Sequence, residues 1–396
     1  LCLALVFTAA SGVVRSISSL FFAEEGSVYS VRLKHAPRFG NNNEVGVKAL
    51  DELIREHASR TVDIFPDHND EDPLGRWIAI YDDDEDLGDK LRAIEGIERV
   101  EEHGTIGLIE PVEFTEAGDD RTWNLEKIHA AEAHKILGEP KRIIVVAVVD
   151  TGIDPDHPAI KDRLLSGRNI VDGNNNPRNK LPSEMHSTHV SGTIIMDPQH
   201  SGGAYGVAYP AAKVLPVRVL NEYGSGSFND IARGIVWAAD NGARVINLSL
   251  GGTRDHQMLH DAIHYAAFKN VIIVAAKGNS NTSRPSYPAD YEEVLAVTAT
   301  DRNDERAFFS NYGDNSCCAA PGYQIFSSVP GGRFMVASGT SMASPHVSAS
   351  VALILAQKPD LNRKQVQEII EKKGDEIKTD KPTGRRINCM NFLTDE

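Results

Sequence analysis

Five short, continuously apolar runs constrain this chain more than any other feature. They are Arg142–Val149, Lys213–Leu220, Val245–Leu250, Val271–Ala276 and Val294–Ala299. Each is strand-length, and none shows the polar alternation of a strand with one wet face. Each therefore reads as a strand buried on both faces of a parallel sheet. Helical patterns fall between them, notably at Ile231–Asn241 and Met258–Lys269. Strand and helix alternating in this way predict a doubly wound α/β domain. In such sheets functional residues gather at the carboxyl ends of the strands.

A smaller pattern precedes this one. Val28–Leu33, Arg76–Tyr81 and Ile97–Glu101 read as strands, Val47–Ala58 and Leu87–Ile94 as helices, and Val62–Phe65 leaves room for one more strand. That order suits a small ferredoxin-like α/β domain. Glu110–Arg121 is polar and acidic, and reads as an exposed linker of the kind proteases cut. The expected division is 1–25, 26–109, 110–121 and 122–396. The first piece is a leader: Leu1–Ala10 is apolar and ends in Thr8-Ala9-Ala10, like the rear of a secretory signal whose start lies upstream. A truncated membrane anchor is the competing reading, but Arg15 interrupts the run before a span of about twenty residues.

With 396 residues there is room for a small domain plus a larger one, and the formal charge of −15 lacks the basic footprint of nucleic-acid binding. Acidic runs such as Asp82–Asp86 read as solvated loop. Of the four cysteines, Cys2 lies in the leader. Cys317 or Cys318 could bridge to Cys389, or all three could be buried free thiols.

Four polar residues sit where strands end or helices begin. Asp150 closes the first apolar run, and an Asp there is ordinarily a turn residue. His186 opens an expected helix, with His189 one turn on. The pair has the spacing of a metal site but no third ligand pattern beside it. Asn279 follows Val271–Ala276 beside Gly278, as in a common turn. Ser341 stands before a helical apolar stretch, either as a helix cap or as a hydroxyl at the positive end of a helix.

Together, in the order Asp, His, Asn, Ser, they resemble the subtilisin-like serine proteases. Gly339–Val347, with the sequence Gly-Thr-Ser-Met-Ala-Ser-Pro-His-Val, carries most of the likeness. Tyr205–Ala208, Gly224–Gly226, Ile246–Gly252 and Ala320–Gly322 support it, and it spans Trp123 to about Phe392. The resemblance implies a subtilisin-like doubly wound parallel sheet preceded by an inhibitory propeptide domain. It implies a secreted, self-processing serine endopeptidase acting on protein or peptide substrates, monomeric, with no cofactor required for its chemistry. Asp150, His186 and Ser341 would form the triad, and Asn279 would bind the oxyanion, both being roles established for the family. Gly224, Ser225, Gly226, Ser249, Leu250, Gly251, Gly252 and Gly278 would offer backbone to an extended substrate. The propeptide would act as intramolecular chaperone and inhibitor, cut off between about Leu108 and Arg121. Calcium is common in the family, but Asp197–His200, in the loop where many members hold it, fits a plain turn better than a ligand set.

Some positions depart from the family pattern. Ser187 stands where Gly is usual, and fits if the backbone there is ordinary helix. Lys277 replaces a small residue. It either faces the pocket for the residue before the cut, favouring acidic side chains, or points away into solvent, which is the favoured expectation. Met185 replaces a small or polar residue, and Arg385-Arg386 interrupt the closing strand. These departures keep a second function open: a weak or inactive binding module on the same fold. A third is a small domain acting alone as inhibitor or chaperone. An imidazole must be neutral to act as base, so activity should fall on acidification through the reference pKa of about 6.5.

Overall fold

The computed structural model describes residues 27–33, 50, 53, 60–65, 74, 76–82, 86–94, 97–102, 104–116 and 120–394. The expected leader, and most of the expected helix at Val47–Ala58, lie outside these residues. The chain divides into two compact units, Leu1–Asp63 with Ile78–Glu102, and Ile64–Trp77 with His103–Glu396.

In the smaller unit, four strands lie in the order Arg60–Asp63, Arg76–Asp82, Ser27–Leu33, Ile97–Glu102. The first strand in sequence therefore sits inside the sheet. With helix Leu87–Arg92 after the third strand, this is the split βαβ arrangement expected from the sequence. Tyr29, Val31 and Leu33 alternate inward and meet Ile78, Ile80, Leu87 and Leu91 in one core.

The larger unit is built on eight parallel strands. Their order is Arg385–Arg386, Cys318–Pro321, Val294–Thr300, Ile272–Ala276, Val245–Leu248, Ile144–Asp150, Ala212–Arg218, Arg168–Asn169. All five apolar runs are present at its centre. Val146, Val148, Val245, Ile272, Val274 and Leu295 are fully buried. Burying each such side chain is worth about 1.5–3 kcal/mol, which explains why both faces must be covered. Helix Thr340–Gln357 is buried from Thr340 to Ala356 and packs on six of these strands. Its buried Ser and His side chains are hydrogen-bonded internally, which lets the whole helix lie inside.

Two small antiparallel sheets complete the unit. Strand Thr105–Leu108 lies between Ser225–Ser227 and Leu250–Gly251. Strand Glu113–Thr115 adds to the hairpin of Ile325–Val329 and Arg333–Ser338. The stretch expected to be an open linker thus holds a strand. Its side chains lack an apolar pattern because its pairing is through backbone.

Candidate active site

Asp150 ends strand Ile144–Asp150 at its carboxyl end and is wholly buried. Its Oδ1 accepts from the Thr151 amide at 2.7 Å and the Thr151 hydroxyl at 3.2 Å. His186 Nδ1 lies 2.9 Å from Oδ1 and 3.0 Å from Oδ2. A carboxylate there holds the hydrogen on Nδ1 and leaves a lone pair on Nε2. That Nε2 is buried and has no hydrogen-bond partner among the described residues.

His186 opens helix His186–Ile195, as expected. His189 does not join it in a metal site. Its Nε2 donates to the Ile325 carbonyl at 3.0 Å, and burial pulls its pKa down to about 3. Among the described residues no group of three His, Cys, Asp or Glu is arranged to hold a metal ion.

Ser341 is the second residue of helix Thr340–Gln357, so it is not the cap. Pro345, four residues on, has no N–H to give the Ser341 carbonyl. The Ser249 hydroxyl donates to that carbonyl instead, at 3.0 Å. Ser249 accepts in turn from Asn247 Nδ2 at 3.0 Å, and Asn247 Oδ1 accepts from Ser344 and Ser348 at 2.9 Å each. This buried network fixes the helix start against strand Val245–Leu248.

Asn279 follows strand Ile272–Ala276. Its Oδ1 accepts from both the amide and the hydroxyl of Thr340, each at 2.9 Å. The amide orientation follows: Nδ2 faces the cleft and donates to the Glu110 carbonyl at 2.7 Å. Gly278 adopts φ +113°, and a Cβ there would stand 2.3 Å from Asn311 Nδ2. Only glycine suits that position.

The cleft holds a stretch of the chain itself. Ser225 faces Gly107 and Gly226 faces Ile106, while Leu250 faces Leu108 and Gly251 faces Gly107. The Leu108 amide donates to Gly224 at 2.8 Å, and the Ile109 amide to Ser249 at 3.4 Å. Gly252 instead exchanges two backbone bonds with Tyr287, at 2.9 and 2.7 Å. The Ser341 hydroxyl donates to the Ile109 carbonyl at 2.7 Å, rather than to His186. The Ser341 hydroxyl and the Asn279 side-chain amide therefore each touch the backbone of Ile109–Glu110, on two successive carbonyls.

A sequence profile of the subtilase family matches residues 141–385. The chain belongs to the subtilase family. It is a subtilisin-like serine endopeptidase, and such enzymes act on proteins without a cofactor for catalysis. Thermitase of Thermoactinomyces vulgaris is 41% identical over 238 residues, 60% of this chain and 83% of the relative. Subtilisin Savinase of Lederbergia lenta is 40% identical over 245 residues, 62% of this chain and 88% of the relative. The structure of fervidolysin from Fervidobacterium pennivorans, described as a keratinolytic enzyme related to subtilisin, aligns with TM-score 0.76 at 25% identity. That alignment covers 93% of this chain and 61% of fervidolysin.

Several features of this subtilase bear on the sequence expectation, and the first corrects it. Lys277 does not reach solvent: it is buried, and its ammonium meets Asp290 and Asn315. Ser187 sits in regular helix, buried, and its hydroxyl has no partner among the described residues. Met185 stands at the helix N-cap. Arg386 pairs with Asp304 at 2.8 Å and with Asp375, which explains an arginine in an edge strand. Cys317, Cys318 and Cys389 are free thiols, and the bridge is not formed. Asp197 caps its own turn by accepting from the Gln199 amide at 2.9 Å. Beside it, Arg163 and Lys213 line the same hollow, so these residues do not fit a calcium ion. The family resemblance implied that the chain blocks its own cleft but not which residues lie in it, and sequence reasoning missed the roles of Thr340 and Asn311. Only the position of Thr340 beside Ser341 gave any signal.

Proposed function

We propose that this subtilase is a secreted, monomeric zymogen that cuts its own chain at Ile109–Glu110, using Asp150, His186 and Ser341 as triad and Asn279 as oxyanion donor. Residues 26–109 serve as propeptide, both chaperone and inhibitor, and nucleic acid is no partner. The observation that carries this is the Ser341 hydroxyl 2.7 Å from the Ile109 carbonyl oxygen, beneath a strand that pairs on both sides. Ile106 and Ile109 are buried there, as side chains seated in pockets are.

The chemistry runs in two halves. Ser341 Oγ turns to His186 Nε2, loses its proton there and bonds to the Ile109 carbonyl carbon. Negative charge then gathers on that oxygen, and Asn279 Nδ2, leaving the Glu110 carbonyl one residue along, stabilises it together with the Ser341 amide. His186 returns the proton to the Glu110 nitrogen as the C–N bond breaks. Water, deprotonated by His186, then releases the acyl group. Asp150 holds the imidazole and offsets its charge while the proton is in transit.

A binding module with weak or no activity is the competing reading, and the unmade His186–Ser341 bond is the observation on its side. A fluorogenic peptide carrying Ile-Gly-Leu-Ile before the leaving group separates the two. Wild type should release dye, and Ser341→Ala should release none. Equal background in both would sink the protease reading for this chain.

A further inference from the structure

Lys277 has no place in the chemistry above, yet it is among the largest fully buried side chains described. A buried ammonium is costly unless it is paired and hydrogen-bonded. Here it is both. Its Nζ meets Asp290, itself buried, and the Asn315 amide oxygen at 2.7 Å. Asn315 Nδ2 also donates to Asp290 Oδ1. Asp290 Oδ2 accepts from the Ser286 amide at 2.6 Å, and the Asp290 amide donates to the Ser286 carbonyl at 2.9 Å. The ammonium is thus tied to the loop Ser286–Asp290.

That loop is a wall of the pocket that holds Ile109. Ser286 Oγ lies 3.3 Å from where a Cβ on Gly251 would be and 3.7 Å from where one on Gly278 would be. Ile109 Cδ1 lies 3.1 Å from the same Gly251 position. Tyr287 exchanges its two backbone bonds with Gly252. On the other side, Lys277 leads directly into Gly278 and Asn279. Its carbonyl accepts from Asn311 Nδ2 at 2.9 Å, and Asn311 Oδ1 takes the amides of Ser280 and Thr282 at 3.0 and 3.1 Å. One side chain therefore joins the strand end carrying the oxyanion donor to the loop forming the pocket wall.

We propose that Lys277 is a positioning residue: its ion pair with Asp290 sets the width of the Ile109 pocket and the aim of Asn279 together. The Lys277 ammonium lies behind the wall, so it selects by shape and not by charge. The pocket it braces takes a slim aliphatic side chain, such as Ile109, in preference to an aromatic one. This inference rests on the peptidase reading for its kinetic readout, but not for its structural one.

The test compares wild type, Lys277→Met and Asp290→Asn, each normalised to titrated active sites so that lost folding does not count. Substrates carry Ile or Phe before the cut. Either substitution should lower kcat about tenfold and compress the Ile-to-Phe ratio of kcat/KM at least fivefold. A brace for stability alone would lower the melting temperature and leave both normalised quantities unchanged; that result in both variants overturns the proposal. If Lys277→Met does not fold, Asp290→Asn decides. If wild type shows no turnover above Ser341→Ala, the peptidase reading fails by itself. The same two substitutions, placed in uncut Ser341→Ala chain, then decide by amide exchange. Exchange at Gly278, Asn279 and Ile109 should quicken at least tenfold, and unchanged exchange there overturns the brace.

Discussion

Asn279 is aimed by a neighbour. Thr340 satisfies its oxygen twice, so its nitrogen has one direction left. Asn279→Ala should therefore cut kcat by about 10²–10³ with KM little changed, the loss established on a subtilisin's own oxyanion Asn. Steady-state kinetics on titrated enzyme checks this. Away from the site, Glu293 receives both His260 at 3.2 Å and His264 at 3.0 Å. The hydrogen bond to Glu293 raises the His260 pKa, and the bond from His260 lowers Glu293 to about 2. The His260 share of stability is full below its unfolded value of about 6.5 and is lost as pH rises through the folded one. The Glu293 share is full above about 4.5 and is lost as pH falls toward 2. The cluster is thus strongest between those limits. The groups are half-exposed, so Glu293→Gln should lower the melting temperature by only about 1–3 °C at pH 5.5 and by less at pH 9. An equal shift at both values would contradict it. At this scale the sequence reveals residues whose partners lie in the same motif. Asp150, His186, Asn279 and Ser341 announce themselves through their neighbours. Lys277 does not, because Asp290 and Asn315 come from loops 13 and 38 residues away.

Elements are legible where burial imposes a pattern. The five apolar runs became the five central strands within one or two residues at most ends, because both their faces are covered. The edge strands Arg168–Asn169 and Arg385–Arg386 carry polar or charged side chains and had no such pattern. Strand Thr105–Leu108 was invisible for another reason: it pairs backbone to backbone across a cleft made by two distant segments. Its one buried side chain is Ile106, which is 2% exposed. Ile106→Asp would bury an unpaired carboxylate, at a cost of several kcal/mol. In uncut Ser341→Ala chain, added protease should then nick residues 104–116 at least tenfold faster. An unchanged rate would mean the strand is not held by that pocket.

For the whole molecule, fold and chemistry have different sources. The alternation of buried strands with helices is enough to predict the doubly wound sheet, and the sheet delivers Asp150 and Asn279 at its carboxyl edge. The chemistry follows from where helices His186–Ile195 and Thr340–Gln357 start. What composition and pattern could not reveal is that the chain fills its own cleft, with Ile109 against Ser341. That occupancy is the centre of the account, and intact mass with N-terminal sequencing tests it directly. Purified wild type should shorten and acquire a new N-terminus at Glu110, while Ser341→Ala retains an uncut chain. The same cut in both proteins, or an uncut wild type, would contradict self-processing by Ser341.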